Sequence, residues 1–356
     1  MSSVWHTGLV GLILAAGAFA ADEITVERVV GRELPGEYKH PCTITQLDNG
    51  DLYIAYYGGS GEYQDDSKVW AVRKAVGSDS WSAPECIADT PFLGEGNPVV
   101  WQAPDGLVWL FYVQRYGNTW SDSRVQGKIS SDGAKTWSDS FMLTFQQGMM
   151  VQGLPIVLND GTYLLPAYYE TGHDQEKTDP DTASLFFLID PRTKKWVQSG
   201  KIVSDHGNLQ PNAVELSNNR LIAYCRRGGS FDPLPDGRII RAESQDGGKT
   251  WTRGTPSQFK NPNAAIAFIK LANGHLMLVY NDSISARTPL TVSISTDNDK
   301  TWGYTRNIGE NGDFAYPVAI QTRDAKLHVV CTTGERTAIL HLTFDESAVL
   351  SKQSLP

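Results

Sequence analysis

The side chains in this chain best equipped for chemistry lie tens of positions apart yet share one local setting. His40, Gln210 and Tyr316 each stand directly before a proline, at the start of a short apolar run. Where the paired and following runs end or begin, the chain carries arginines and acids: Arg115, Arg226, Arg227, Arg287 and Arg336 against Glu62, Asp65, Asp66, Glu170, Asp282 and Glu335. A guanidinium grips a carboxylate through a planar, two-pronged fork, while an imidazole and a phenol can exchange protons with whatever is held. Brought together, these groups suit a small ligand bearing a carboxylate.

Bringing them together requires a repeated scaffold, and the sequence contains two out-of-phase repeats. The first is SQDGGKTW, ending at Trp251, with copies SSDGAKTW at Trp137 and STDNDKTW at Trp302 and weaker echoes at Trp196 and Trp81. These tryptophans are spaced by 56, 59, 55 and 51 residues. The second is a pair of apolar runs joined by a turn dipeptide, as in HPCTITQLDNGDLYIAYY. Its six turns are Asn49-Gly50, Asp105-Gly106, Asp160-Gly161, Asn218-Asn219, Asn273-Gly274 and Asp324-Ala325. Asn-Gly and Asp-Gly between apolar runs are strong hairpin signals.

Each hairpin is followed by a third strand, such as Val69 to Arg73, Arg238 to Ala242 or Leu290 to Ser293, then the Asp-Trp turn and a fourth strand. Four antiparallel strands recurring about every 56 residues define a propeller blade. The expectation is therefore an all-β, six-bladed β-propeller of four-stranded antiparallel blades. The sixth repeat supplies only three strands, ending with Ala338 to Phe344, so the amino-terminal stretch Ile24 to Val30 is expected to complete that blade. Strand alternation then puts the entry to strand one, the exit of strand two and the entry to strand three on one face. The Asp-Trp turns fall on the other face, as scaffold. His40, Gln210 and Tyr316, at strand-one entries, should crowd the central well.

Charge and composition narrow the field. A net charge of −9 gives no general support for nucleic-acid or anionic-membrane binding. The chain has no H-E-x-x-H or cysteine cluster, and Asp297-Asn298-Asp299 lacks the glycine and glutamate of a calcium loop. Neither a metal nor a cofactor is expected. The four cysteines (Cys42, Cys86, Cys225, Cys331) are too few for a disulfide framework and read as thiols in strands. Residues 1–20, with an apolar run from Leu9 to Ala16 and Ala18 and Ala20 at an A-x-A site, read as a secretory signal. That implies a secreted or periplasmic protein, with residues 21–356 as a single propeller domain and no membrane insertion once the signal is removed.

With hairpins, Asp boxes and the YKHP start of the first blade in place, the chain resembles the sialidase (neuraminidase) superfamily, and in particular its sialidase-like BNR or Asp-box repeat proteins. The resemblance covers the whole mature chain. It implies three arginines on a substrate carboxylate, a tyrosine nucleophile activated by a glutamate, and an aspartate acting as acid and base. Arg226, 16 residues after Gln210, matches the second arginine; Arg287 in RTPLTVSISTD matches the third; and Tyr316 in AYPVAI, 29 residues later, matches the nucleophile. Lys39 stands where the first arginine is expected, and Gln210 where the activating glutamate is expected. Asp65 or Asp66 would be the acid and base, with Glu62 the carboxylate able to reach over Gln210 and Arg115 a further contact.

Three functions follow as expectations. The first is an exported sialidase-type exo-glycosidase acting on acidic glycans. The second is a polysaccharide lyase or other glycoside-processing enzyme on uronate-bearing glycans, with His40 and Tyr316 as base and acid. The third is a non-catalytic glycan-binding propeller, Gln210 marking lost catalysis. Gln210 is the pivotal departure, since an amide cannot take the proton of a phenol whose ordinary pKa is about 10.

Overall fold

The computed structural model describes residues 23–351 apart from residue 176. The expected signal segment at residues 1–20 lies outside the described residues. The chain folds as six antiparallel sheets arranged in a ring, a six-bladed β-propeller with almost no helix. The first blade runs Tyr38–Gln46, Leu52–Gly59, Lys68–Lys74 and Glu85–Ala88, from the axis outward. Inner strands pack blade on blade, except that the third blade meets the fourth through its second strand Tyr163–Tyr169, and Tyr38–Gln46 meets Ala315–Gln321 to close the circle. Among the described residues no helix is long and apolar enough to cross a membrane.

Closure uses the amino-terminal strand as expected. Thr25–Val30 pairs with Ala338–Phe344 from Thr25 opposite Thr343 to Val30 opposite Ile339, supplying the fourth strand of the last blade. The third blade departs from the pattern. Its inner strand is broken into Met149–Val151 and Ile156–Val157, with Gly153 at φ 92° in the gap between them. A side chain could not replace this glycine: an added Cβ would lie 2.8 Å from the Pro211 carbonyl of the next blade.

The Asp-Trp turns are built for scaffolding. Asp246 accepts the Thr250 amide at 2.9 Å and the Thr250 hydroxyl at 2.6 Å, and Ser244 accepts the Gly248 amide at 2.9 Å. Asp132 and Asp297 repeat the arrangement with Thr136 and Thr301. Each turn then holds its tryptophan against the preceding blade. Trp251 stacks on Phe186 at 4.7 Å, Trp196 donates to the Leu143 carbonyl at 3.0 Å, and Trp302 packs edge-on to Phe259 at 5.2 Å. Trp81 does the same across the closure, edge-on to His341 at 5.6 Å. The repeat period seen in sequence is thus the period of the wedges between blades.

All four cysteines are free thiols; Cys42, Cys225 and Cys331 are buried in strands, whereas Cys86 is exposed on an outer strand. The buried three fit the sequence reading.

Candidate active site

One backbone device delivers residues to the axis. In four blades the inner strand carries a two-residue bulge against one partner residue: His40-Pro41, Asn97-Pro98, Gln210-Pro211 and Tyr316-Pro317. Proline fits the second place because a bulge leaves an amide without a ladder partner, and proline has none to satisfy. The residue before it breaks the usual alternation. Asn97, Gln210 and Tyr316 are left-handed, at φ 44°, 52° and 54°. Such strain in a non-glycine residue persists only where its surroundings over-determine it, and it concentrates at functional sites.

All four, His40, Asn97, Gln210 and Tyr316, line a narrow cleft of about 50 Å³ together with Glu62, Glu170, Arg226, Asn263, Trp120 and Phe231. Arg226, from the end of Arg220–Arg227, donates to the Tyr316 oxygen at 2.6 Å, to Gln210 Oε1 at 3.1 Å and to Asn263 Oδ1 at 2.6 Å. The Arg287 guanidinium lies 5.4 Å from the centre of the Tyr316 ring. Phe231 caps both arginines, 5.7 Å from Arg226 and 5.8 Å from Arg287. It sits on a loop strutted by buried Arg227, which donates to the carbonyls of Gly228, Ser230, Asp232 and Asn261.

Beside this pair stands a third cation. Arg336 donates to Tyr38 at 2.7 Å and pairs with Glu62, which also accepts the Tyr38 hydroxyl at 2.8 Å. Arg287 and Arg336 together line a wider cavity of about 610 Å³ that adjoins the cleft, with Phe231 on the wall of both. A further cavity of about 680 Å³ opens at the other end of the channel, lined by hairpin residues such as Gln46, Gln102 and Arg323, and shares none of these groups.

The electrostatics follow from the crowding. Burial would make the Tyr316 hydroxyl a weaker acid, but Arg226 and Arg287, with Arg336 behind them, outweigh it and hold its pKa below the ordinary phenol value. Burial pushes Glu170 up to about 7; Arg226 resists and Glu62 assists. Burial, then Arg336, Arg287 and Arg226, holds His40 well below the usual imidazole value. The cleft thus contains an acidic phenol, a carboxyl group that keeps its proton near neutrality, and a neutral imidazole. Among the described residues no group of three or more His, Cys, Asp or Glu side chains is placed to hold a metal ion.

The structure brings together Tyr316, His40, Glu62, Gln210, Arg226 and Arg287, and leaves out four other residues singled out from sequence. Lys39 is fully buried and does not line the cleft, its ammonium meeting the Gly36 carbonyl instead. Asp66 accepts the Ser60 amide and hydroxyl and so folds the 60–66 loop. Asp65 is exposed and paired with Arg115 at 3.0 Å, and neither reaches the cleft. Arg336 and Glu170 belong to the correct face by sequence but carry no assigned role there; the missed signal is that each ends or follows a second strand, as Arg226 does. Asn97 was signalled by the same X-Pro pattern as Gln210. Phe231 had no signal, because its place depends on the loop that Arg227 folds.

The ring of blades, the Asp boxes and a tyrosine flanked by arginines define a class of propeller built on the BNR repeat. The chain belongs to the BNR repeat-like domain family, whose profile matches residues 50–329. No curated protein sequence matches it. Its fold is similar to that of the Hadza microbial sialidase Hz136, at 16% identity and a TM-score of 0.74, over 88% of this chain and 67% of that one. It is also similar to NanB sialidase from Streptococcus pneumoniae, at 10% identity and a TM-score of 0.75, over 91% of this chain and 71% of that one. A Dyadobacter fermentans protein of unknown function matches at 16% identity and a TM-score of 0.71, over 89% and 98% of the two chains. At these identities the likeness is one of fold.

Proposed function

We propose that this protein is an exported, sialidase-like exo-glycosidase acting on glycans that end in a carboxylate-bearing sugar. The observation that carries the reading is the Tyr316 oxygen, 2.6 Å from Arg226 under a second guanidinium and close to a third. In this reading Arg226, Arg287 and Arg336 seat the sugar carboxylate, Arg336 taking the place that Lys39 does not fill. Tyr316 attacks the anomeric carbon, and Glu170, rather than Asp65 or Asp66, protonates the leaving oxygen. An acid needs its proton at working pH, which burial of Glu170 provides.

The test is release of aglycone from aryl glycosides of sialic and uronic acids. Wild type should turn over at least one of them, and Tyr316→Phe should lose about a thousandfold or more in kcat. Folded wild-type protein that leaves every such glycoside intact would sink the hydrolytic reading, and binding without product would make the chain a glycan-binding propeller.

One observation favours a second reading. His40 presents an unpartnered imidazole nitrogen in the same cleft, as a base for β-elimination from a uronate would. Elimination leaves an unsaturated product that absorbs in the ultraviolet, whereas hydrolysis does not.

A further inference from the structure

With an amide at position 210, Tyr316 lacks the carboxylate that would take its proton, and the hydrogen bonds around His40 offer a replacement. His40 Nδ1 lies 2.8 Å from the Thr332 hydroxyl oxygen. That hydroxyl is also 3.2 Å from the Ala315 carbonyl, which can only accept. The single hydroxyl proton goes to Ala315, so Thr332 must accept from His40, and Nδ1 carries the ring's proton. Nε2 is then left with a bare lone pair. It is buried and makes no hydrogen bond among the described residues.

Aromatic rings pack against this imidazole, and charged groups of both signs stand around them. Tyr316 packs edge-on at 4.1 Å between ring centres, with Tyr38 at 6.1 Å and Tyr57 at 6.4 Å. Arg336, Arg287 and Arg226 act on it in that order, and Glu62 and Glu170 line the same cleft. In the free protein a proton on His40 would add another positive charge beside three guanidiniums.

We infer that His40, with its bare Nε2 in the cleft beside Tyr316, is the proton acceptor of this site and that its ligand arms it, because a carboxylate seated on Arg226, Arg287 and Arg336 offsets the positive charge that a protonated imidazole would face there. The inference rests on the acidic-sugar reading and adds a source of specificity, since a neutral sugar would leave the base unarmed. As Tyr316 Oη bonds to the anomeric carbon, its proton goes to His40 Nε2, which in the free protein stands beside the Tyr316 ring, 4.1 Å between centres, without a hydrogen bond to its oxygen. The glycosidic bond breaks, its electron pair stays on the leaving oxygen, and Glu170 supplies that oxygen with a proton. Water then attacks the same carbon and gives its proton to the Glu170 carboxylate. The bond to Oη breaks, and Tyr316 recovers its proton from His40.

The test uses the full chain with ¹⁵N-labelled histidine, the His40 signals being assigned by their loss in His40→Gln. Without ligand, His40 should show a protonated Nδ1 and a bare Nε2, and should stay neutral as pH falls through the ordinary imidazole value of about 6.5. Saturating N-acetylneuraminic acid or glucuronic acid, with binding followed by calorimetry, should raise its midpoint by about one pH unit or more, and their methyl esters should not. Thr332→Val should lose the Nδ1 tautomer, and Thr332→Ser should restore it. A protonated Nε2 in the wild type, or a bound acid with an unmoved midpoint, overturns the inference alone. Failure of both acids to bind overturns the acidic-sugar reading and the inference with it.

Discussion

Tyr316 combines a left-handed backbone, at φ 54°, with a phenol held under cationic charge, and both features are properties of single residues around it. In the proposed reading Arg287 matters most for binding, because it lines the wider cavity and among the described residues its guanidinium makes no hydrogen bond. Arg287→Lys keeps the charge but loses the fork, and should weaken binding of a carboxylated sugar about tenfold or more by calorimetry. Lys39→Met should leave that affinity within about twofold, since the Lys39 ammonium faces the Gly36 carbonyl. Equal losses in both variants would contradict the assignment of Arg336 as the third cation. Glu170 sets the pH limit: its raised pKa means that the proton-donating form is lost as pH rises through about 7. kcat should therefore fall on the alkaline side of neutrality, and Glu170→Gln should abolish that limb along with most of the rate. Arg226, Arg287 and Tyr316 were legible because spacing along blades fixes where they emerge. Asp65 and Asp66 stand away from the cleft because the 60–66 loop ties Asp66 to Ser60 and turns Asp65 to Arg115, a choice that sequence does not reveal.

At the scale of elements, the X-Pro bulge and the Asp-Trp turn divide the work. The bulges send side chains into the well on one face; the turns pin blade to blade on the other. Both were legible, the first as proline at strand entries and the second as a repeated octapeptide, because each is a local sequence requirement. The broken inner strand of the third blade was not, since Gln152 and Gly153 look unremarkable until the Pro211 carbonyl of the next blade comes within 2.8 Å of the missing Cβ. The division predicts separable effects. Trp251→Ala removes the stack on Phe186 and should cost about 2–3 kcal/mol, less than a fully buried tryptophan because the side chain is partly exposed. Chemical denaturation should show that loss while KM for an acid-sugar glycoside stays near wild type, as Trp251 lies on the face away from the cleft. A large KM change with unchanged stability would place the turn in the site instead.

For the whole molecule, the closing seam is where pH should act on stability. Glu27 on the closing strand reaches Lys74 of the first blade at 3.2 Å and His341 of the sixth at 3.6 Å, while His341 Nε2 lies 2.8 Å from His328 Nδ1 in a stacked pair. Six blades and an amino-terminal closing strand could be counted from the turns. This cluster could not, because its members come from opposite ends of the chain. Burial and the neighbouring His341 hold His328 down at about 4, and burial lowers His341 against the pull of Glu27. Both imidazoles are therefore neutral when folded, whereas in the unfolded chain they take up protons from about pH 6.5 downward. The unfolded state binds more protons through that window, so the seam's contribution is full above about pH 6.5 and is lost as pH falls toward 4. For His328 alone the loss is about 2–3 kcal/mol, from the spacing between its folded and unfolded values. The melting temperature followed by circular dichroism should thus fall as pH is lowered from about 7 to 4. The double variant His328→Gln, His341→Gln should start lower, having lost the stacked pair, but fall less steeply. Parallel slopes for the two proteins would show that the acid sensitivity lies elsewhere than at the seam.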